Sequence, residues 1–265
     1  MVTRYRATLS YDGTAYQGFQ RQAHGIASVQ GAVEDALTSI SRRRVVVVGA
    51  GRTDAGVHAS GQVIAFDLDW AHSPETLLKA LNAVLPDDVA LQDIRVHAGF
   101  HPRYDALSRR YTYQVALAAQ RQPLLRGRAW CFRGMLEGEA LNAATALLIG
   151  RHDFGAFGQP TSGDSTEREV YEAHWSYETA TFGTLWSFTV EANAFLKHMV
   201  RRMVWMLVKV GRGQLSVEAF EAIFRGAKLT PNSPIAPPQG LTLEAVRYPD
   251  YNDGEHAGES RPPEE

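Results

Sequence analysis

One stretch decides how this chain folds, and it runs Val45-Val46-Val47-Val48-Gly49-Ala50-Gly51-Arg52-Thr53-Asp54-Ala55-Gly56-Val57-His58-Ala59. Its four opening β-branched residues predict a buried strand, because branched side chains pack well on a pleated sheet. The apolar residues over 61–67 predict a second strand. The three glycines between the strands permit positive φ and the close approach of another molecule's backbone. The stretch therefore predicts two strands joined by a glycine-rich loop, on which Arg52 and Asp54 can face a bound ligand.

Strand and helix patterns continue on both sides of this loop. Residues 4–11 indicate a strand, and Ser28 is placed to cap a helix whose apolar side chains recur every 3.6 residues. After the loop, Ser73 begins a second helix and residues 89–96 form another strand. The order is β-α-β-β-α-β, which is the ferredoxin-like unit. We assign this unit to residues 1–105.

The second half, residues 106–249, has a similar element order with additions. Its strands are predicted over 109–117, 128–132, 168–178, 184–192 and 241–247, and its helices over 136–149, from Leu196 to Gly211, and over 216–225. Two α+β units of this kind can join their sheets. We therefore expect an α+β fold in which two ferredoxin-like halves share one mostly antiparallel sheet, with helices on one face and a cleft on the other.

The net charge of −2 conceals an uneven distribution of charged residues. Residues 250–265 contain six acidic residues against Arg261, a net of −5, so the remaining 249 residues carry +3. We predict that this acidic tail is disordered, because it has too few apolar residues to form a core. Arginines cluster at 42–44, 109–110 and 201–202, where they are candidates for phosphate contacts, although such a cluster alone is more often a solvated face.

Composition argues against several classes of protein. No apolar run approaches the roughly 18 residues of a membrane span, and the first residues lack a signal-peptide core, so we expect a cytoplasmic protein. The single cysteine, Cys131, excludes an intramolecular disulfide, and its strand-like surroundings predict a buried core thiol. His97 and His101 are four residues apart, but Gly99 and Pro102 disfavour the helix that would align them. No metal site is expected.

Other chemistries were weighed for the glycine-rich loop. A dinucleotide fingerprint would need a third glycine where Asp54 stands, and a helix instead of a strand after it. Asp54-Ala55-Gly56 is weakly similar to the aspartic-protease tripeptide, but no second such tripeptide occurs, although a dimer could supply one. From this segment alone, a tight hairpin with a solvated aspartate also stays open.

The loop residues 50–58 closely resemble the catalytic motif of the tRNA pseudouridine synthase A family, which modifies positions 38–40 of the anticodon stem-loop. The resemblance extends over roughly residues 5–248, with further motifs in the family's order at Tyr11–Thr14 and Gly18–Gln22, Phe100–Arg103 and Arg109–Tyr113, Ala192–Arg201, and Ala236–Leu241. Phe19 stands where the family often has tryptophan, and residues 158–168 match weakly. The resemblance implies a pseudouridine synthase fold, a tRNA partner and a homodimer.

The resemblance also implies a role for each matching residue. Asp54 would be the catalytic carboxylate, and Arg201 would pair with it. Tyr111 would pack on the target base, and Arg52 would help to displace the target nucleotide. Further side chains are expected to touch RNA, namely Phe100, His101, Pro102, Arg103, Tyr104 and Arg168, with Arg21 as a candidate phosphate contact.

The implied reaction is an isomerisation, so no cofactor is expected. It breaks the N1–C1′ bond of uridine, turns the base and joins C5 to C1′. A carboxylate can attack C1′ or take a proton from C2′, and both routes need Asp54 to be ionised. A nearby guanidinium favours that ionised form. The phenol of Tyr111 could assist the later removal of the C5 proton.

Two other functions remain open at this point. The first is a non-catalytic RNA-binding module, because ferredoxin-like sheets bind single strands through surface aromatic residues. The sequence has no ribonucleoprotein motif, and such a module would leave Asp54 without a purpose. The second is an enzyme that acts on a small glycoside through Asp54. That chemistry usually requires a second carboxylate, and the loop contains none.

Overall fold

The computed structural model describes residues 1–22, 25–161, 163–229 and 233–249 of the chain. The acidic tail over 250–265, for which we predicted disorder, lies outside the described residues. The first half has the predicted element order: β1 (Val2–Tyr11), α1 (Val29–Ser41), β2 (Val48–Gly49), β3 (His58–Asp69), α2 (Pro74–Asn82) and β4 (Val89–Val96). Ser28 and Ser73 cap the two helices, since each hydroxyl accepts a backbone N–H at 3.3 Å.

The second half follows in the order β5 (Ser108–Ala118), β6 (Trp130–Phe132), α3 (Gly138–Ala146), β7 (Gly150–Asp153), β8 (Glu167–Ala180), β9 (Gly183–Ala192), α4 (Met199–Gly211), α5 (Val217–Arg225) and β10 (Leu241–Arg247). Strand β7 was not predicted, because its polar sequence has no apolar alternation. Helix α3 is shorter than the predicted 136–149. Helix α4 begins three residues after Leu196, because His198 adopts a left-handed backbone conformation with φ of 63°.

The ten strands of the described residues form one sheet, in the order β4-β1-β3-β10-β5-β9-β8-β7, with β2 paired to β3 and β6 paired to β5. Within the first half the strands are arranged β4-β1-β3-β2, and within the second half β10-β5-β9-β8. When β6 and β7 are left out and the remaining strands are numbered within each half, both arrangements run 4-1-3-2, which is the same ferredoxin-like order. This repeated order supports two similar halves, and their division near residue 105 stays a prediction.

The last strand, β10, joins the two halves. It pairs in parallel with β3 through Thr242–His58 and Leu243–Ala59, and antiparallel with β5 over most of its length. The β5–β6 pair is also parallel, and the other strand pairs are antiparallel. The expected mostly antiparallel sheet is therefore confirmed, and its central junction depends on residues near the end of the chain.

The helices pack on one face of this sheet in two groups. Tyr113 and Val115 of β5 share a face and contribute to the core that contains α3, α4 and α5. Leu243 of β10 lies opposite Tyr111 and belongs to the core beneath α1 and α2. Because directly paired residues point to the same side, both helix groups lie on the same face. Tyr111 contacts both cores at their boundary.

Two sequence predictions need correction in the strands. Val45–Val48 is not a buried strand: Val46 is exposed, and only Val48 and Gly49 pair with β3. The cause is α1, whose Gln30 amide and Glu34 carboxylate bond the backbone C=O and N–H of Val47.

The thiol of Cys131 is exposed instead of buried in the core. Its neighbours Trp130 and Phe132 point to the other side of the strand, where Trp130 stacks on Trp205 at 5.4 Å between ring centroids. The strand-like pattern correctly predicted β6. In this strand only the face that carries Trp130 and Phe132 is partly buried, and the face that carries Cys131 is exposed.

The junction of the two halves generates a stability prediction at Gly61. A Cβ atom at this position would lie 2.0 Å from the carbonyl oxygen of Glu244 in β10. Gly61→Ala must therefore push the two strands apart, and we expect the free energy of unfolding to fall by roughly 1–3 kcal/mol in urea denaturation. The exposed neighbour Ser60→Ala is the control and should change it by less than about 0.5 kcal/mol. An unchanged midpoint for Gly61→Ala would contradict this close contact.

Candidate active site

The Asp54 loop is held by backbone contacts from the segment before α1. The N–H of Phe19 donates to the Thr53 carbonyl at 3.1 Å, and the N–H of Val57 donates to the Asp54 carbonyl at 3.1 Å. Gly18 has a φ of 95°, and a Cβ there would lie 2.8 Å from the Thr53 oxygen. Only glycine suits both conditions. The turn that presents Asp54 is therefore fixed from both sides.

Buried polar side chains support the loop from below. The hydroxyls of Tyr11 and Thr53 are 2.8 Å apart, and the Gln62 amide donates to the Gly51 carbonyl at 2.9 Å. On the outer side, the guanidinium of Arg109 donates to the Ala50 carbonyl at 3.1 Å and to the Asn193 carbonyl at 2.9 Å. Because Arg109 belongs to β5, it ties the loop to the second half of the sheet.

Arg201, in the first turn of α4, pairs with Asp54. Its Nη1 donates to Asp54 Oδ2 at 2.7 Å, and its Nε donates to the Ala236 carbonyl at 2.7 Å. The Ala236 N–H returns a bond to the Arg201 carbonyl at 3.1 Å. The Arg201 side chain is 9% exposed and that of Asp54 is 30% exposed. The guanidinium is thus fixed inside the protein, while the carboxylate stays accessible to a ligand.

Tyr111 lies beside this pair, at the boundary of the two cores. Its ring meets Phe195 edge to face, with 5.2 Å between centroids. Burial raises the pKa of Tyr111, and the negative charge of Asp54 acts in the same direction. The phenol therefore keeps its proton at neutral pH. Asp54, Arg201 and Tyr111 are brought together as the resemblance implied, and their roles in a reaction stay predictions.

The sequence analysis missed His198, which reaches the other oxygen of the same carboxylate. Its Nε2 is 3.5 Å from Asp54 Oδ1. Burial lowers the pKa of His198, although the charge of Asp54 opposes that shift. The only available signal was its position three residues before Arg201. In the predicted helix, which started at Leu196, that spacing puts both side chains on the same face.

The site lies on the helix-bearing face of the sheet, between the two helix groups. Tyr111 shares this face with Tyr113, whose hydroxyl donates to the Pro237 carbonyl at 2.7 Å. On the opposite face, Arg110 is paired with Glu172 at 3.1 Å and with Glu191 at 3.6 Å. These contacts place the site residues between the two helix groups, and the RNA-binding cleft stays a prediction.

The structure separates the candidate RNA contacts into buried and exposed side chains. Phe100 is 2% exposed and stacks on His97, and Pro102 is also buried, so neither side chain faces a ligand. Phe100 belongs to the apolar core cluster of the first half. In the same segment Arg103 and Tyr104 are exposed, and the Tyr104 ring stacks on His101 at 4.2 Å between centroids. These three remain candidates for RNA contact.

The other candidate arginines differ in how many hydrogen bonds and ion pairs they make within the protein. Arg52 is exposed beside Asp54 and makes no hydrogen bond or ion pair with any residue that the structure describes. Arg21 pairs with Glu34 at 2.7 Å and with Asp35 at 2.8 Å. The guanidinium of Arg168 donates to the Ser165 carbonyl, and burial lowers its pKa. Arg52 is therefore the best placed of the three for a ligand.

The expected exposure of Arg202 is wrong. Its guanidinium donates to the carbonyls of Phe157 and Lys197, both at 3.1 Å, and burial lowers its pKa. The described ranges contain no group of three or more His, Cys, Asp or Glu side chains that could hold a metal ion. In the same ranges, no helix has the length and apolar character needed to cross a membrane.

Comparison with known proteins connects this geometry to a family. A family model described as tRNA pseudouridine synthase matches residues 7–105 and 144–249. Three relatives are each called tRNA pseudouridine synthase A. The protein from Neisseria gonorrhoeae (strain NCCP11945) is 40% identical over 247 residues, which cover 93% of this chain and 92% of the relative. The protein from Geobacter sp. (strain M21) is 39% identical, with 91% and 97% covered. That from Chloroflexus aurantiacus (strain ATCC 29366 / DSM 635 / J-10-fl) is 42% identical, with 91% and 87% covered.

The matched segments include the Asp54 loop, Arg201 and His198, and the C-terminal strand that joins the halves. The match and the relatives together span nearly all of the described chain. The chain therefore belongs to the tRNA pseudouridine synthase family, and it is an isomerase that acts on uridine in tRNA.

Proposed function

We propose that this isomerase converts uridine to pseudouridine at positions 38, 39 and 40 of the tRNA anticodon stem-loop, with Asp54 as its catalytic carboxylate. The observation that carries the assignment of Asp54 is its 2.7 Å contact with the fixed guanidinium of Arg201. That contact orients the carboxylate and leaves it partly accessible. The choice of the anticodon stem-loop rests on the sequence motifs.

The target nucleotide must leave its stack before Asp54 can reach the ribose. Flipping a base out of a stem or loop costs a few kcal/mol. Arg52 is exposed two residues before Asp54, so its guanidinium can enter the space that the base vacates. Tyr111 can then hold the free base by stacking, which is worth roughly 1–3 kcal/mol. Binding and extrusion are thus assigned to the two residues that flank the carboxylate.

The chemistry then proceeds at C1′ or C2′ of the ribose. In the first route an Asp54 oxygen bonds to C1′ while the N1–C1′ electrons leave with the uracil. In the second, Asp54 takes the C2′ proton as the same bond breaks. The base turns, C5 bonds to C1′, and Asp54 is released or returns its proton to C2′. The C5 proton is then lost and N1 gains a proton from water, which restores the aromatic base, and the atoms balance without a cofactor.

Arg201 stabilises the carboxylate in both routes. Asp54 must begin and end the cycle as an anion, while positive charge develops on the sugar between these points. A fixed guanidinium on Oδ2 leaves Oδ1 to react. Because the Arg201 Nε is bonded to the Ala236 carbonyl, the guanidinium cannot follow the carboxylate if it moves. The pair therefore acts as a preorganised support that needs no rearrangement during the reaction.

Two further expectations about this protein stay proposals. The family resemblance implies a homodimer, which light scattering of the purified chain would measure. We place the reaction in the cytoplasm, on tRNA transcripts. The exposed arginines at 42–44 and Arg103 are the proposed phosphate contacts, and such binding weakens as salt rises.

The assignment of Asp54 predicts complete loss of isomerisation in Asp54→Ala. Unmodified tRNA carrying tritium at uridine C5 should release label with the wild-type protein, and Asp54→Ala should release none. Its tRNA affinity should stay within about threefold of wild type, which is under 1 kcal/mol. Asp67→Asn, an exposed carboxylate paired with Arg4, is the control and should release label normally.

The same assay tests the position of the target. Transcripts in which uridine 38, 39 or 40 is replaced by cytidine should each lose the label of that position only. Label release that is insensitive to all three replacements would contradict the anticodon assignment, and release from Asp54→Ala would contradict the mechanism.

Arg201→Lys should slow the reaction without weakening tRNA binding. A lysine ammonium cannot bond Asp54 and the Ala236 carbonyl together in the fork geometry of a guanidinium. We expect the single-turnover rate to fall at least about 100-fold, or roughly 2.7 kcal/mol. Arg202→Lys on the same helix is the matched control and should keep the rate within about threefold. Equal losses in the two variants, with equal falls in melting temperature, would show a structural role only.

Tyr111 should contribute its ring to binding and its hydroxyl to proton transfer. Tyr111→Phe keeps the ring, so tRNA affinity should stay near wild type while the single-turnover rate falls about 10²–10⁴-fold. Tyr111→Ala should also weaken binding, by roughly 5- to 150-fold. Because the pKa of Tyr111 is raised, ionisation of the phenol should cause no change in wild-type rate between pH 7 and 9. A wild-type rate for Tyr111→Phe would leave the hydroxyl without a role.

A further inference from the structure

His198 and Arg201 divide the two oxygens of the Asp54 carboxylate between them. Arg201 Nη1 is 2.7 Å from Oδ2, and His198 Nε2 is 3.5 Å from Oδ1. Among the residues that the structure describes, Oδ1 accepts no hydrogen bond. It is therefore the oxygen that is available to bond to a ribose, and the imidazole is within 3.5 Å of it.

The backbone at His198 is held in an unusual conformation. Its φ of 63° and ψ of 9° lie in the left-handed region, which residues other than glycine and asparagine seldom adopt. His198 occupies the position before the first turn of α4, yet its side chain makes no capping hydrogen bond. Serine, aspartate or asparagine would stabilise the helix start better. This residue therefore serves a purpose other than capping, and its backbone directs the ring toward Asp54.

We propose that Oδ1 is the reactive oxygen of Asp54 and that His198 is a positioning residue that controls its availability. The neutral imidazole leaves Oδ1 free, whereas the imidazolium pairs with Oδ1 and stops the reaction. This inference rests on the proposed role of Asp54 in pseudouridine formation. It adds a second residue to the control of the carboxylate and assigns a separate function to each oxygen.

The charges around the ring favour the neutral, permissive form. The groups that face it are Asp54 from the loop, Lys197 from the segment before α4, and Arg201 and Arg202 from α4 itself. Burial lowers the pKa of His198, the three cations act in the same direction, and Asp54 opposes them. The ring is consequently uncharged at neutral pH. It gains a proton only as the pH falls below the ordinary histidine value of about 6.5.

The two protonation states differ in what Oδ1 can do. With a neutral ring, an Oδ1 electron pair can bond to C1′ or take the C2′ proton as the N1–C1′ electrons leave with the uracil. Oδ2 then becomes the carbonyl oxygen of the ester in the first route or of the carboxylic acid in the second, and it keeps its bond from Arg201. With a protonated ring, the same electron pair accepts a charge-assisted N–H bond. The imidazolium must first move away, so the reaction slows in acid.

The test compares pH profiles of single-turnover label release for wild type and His198→Asn. Asparagine tolerates the left-handed conformation and has no titrating group. If His198 blocks Oδ1, the acid loss of activity in His198→Asn moves to lower pH. At one pH unit below the wild-type midpoint, the wild-type rate should be about tenfold below its plateau, and that of His198→Asn should remain near its own plateau. Lys197→Gln, which removes an adjacent cation but keeps the ring, should retain an acid limb.

The opposite shift would overturn the proposal. If His198 did not block Oδ1, the acid limb of His198→Asn would stay in place or move to higher pH. Each profile is scaled to its own plateau, so partial loss of folded protein does not affect the comparison. If His198→Asn lacks activity at every pH, NMR titration of the wild-type His198 ring decides, because its midpoint must coincide with the acid limb.

The same experiments separate this inference from the proposed function. Label release by wild type that disappears in Asp54→Ala, together with an unmoved acid limb in His198→Asn, would remove the role of His198 and leave that of Asp54. Absence of wild-type release from any tRNA at any pH would remove the role of Asp54, and the role of His198 with it.

Discussion

The contact between Arg201 and Asp54 is the constraint on which the site depends, because its two partners come from different halves of the chain. Asp54 follows β2 in the first half, and Arg201 lies in the first turn of α4 in the second, 147 residues later. Removing one partner of a buried ion pair leaves an uncompensated charge, which is strongly destabilising. Partial exposure of Asp54 moderates that cost and leaves the carboxylate accessible. The relative position of the two halves must therefore be held closely for the carboxylate to be usable.

Strand β10 holds the two halves in that relative position, although it is the last element of the described chain. It lies between β3 and β5, and the segment before it supplies contacts to both sides of the site. The Ala236 carbonyl orients Arg201, and the Gln239 carbonyl is 3.2 Å from His58 Nε2, just beyond the Asp54 loop. The Gly13 N–H donates to His58 Nδ1, so that nitrogen is an acceptor and its 3.1 Å approach to Asp12 is not an ion pair of a charged imidazole. Burial lowers the pKa of His58, which agrees with a neutral ring. The active site is thus complete only when the end of the fold is in place.

Local sequence patterns predicted most helices and strands. The features that these patterns could not predict depend on contacts between residues far apart in the sequence. Ser28 and the 3.6-residue period gave α1, and strand alternation gave Leu241–Arg247 to the residue. Phe100 was expected to touch RNA, but its apolar ring packs in the core, which no local pattern reveals. His198 was overlooked because its importance comes from a left-handed backbone and from a carboxylate far away in sequence. Asp54 and Arg201 were found through motif resemblance, since spacing alone cannot show that two residues 147 positions apart meet.

The same long-range contacts change how the arginines should be interpreted. A net charge of −2 appears unsuited to an RNA-binding enzyme, and the sequence clusters seemed to supply the missing positive surface. Arg109 and Arg202 instead donate to backbone carbonyls, and Arg110 is surrounded by glutamates. These guanidinium groups are used to hold loops and strands together, because their several donors can join carbonyls from different segments. The proposed phosphate contacts are therefore the arginines whose side chains are exposed, at 42–44 and at Arg103.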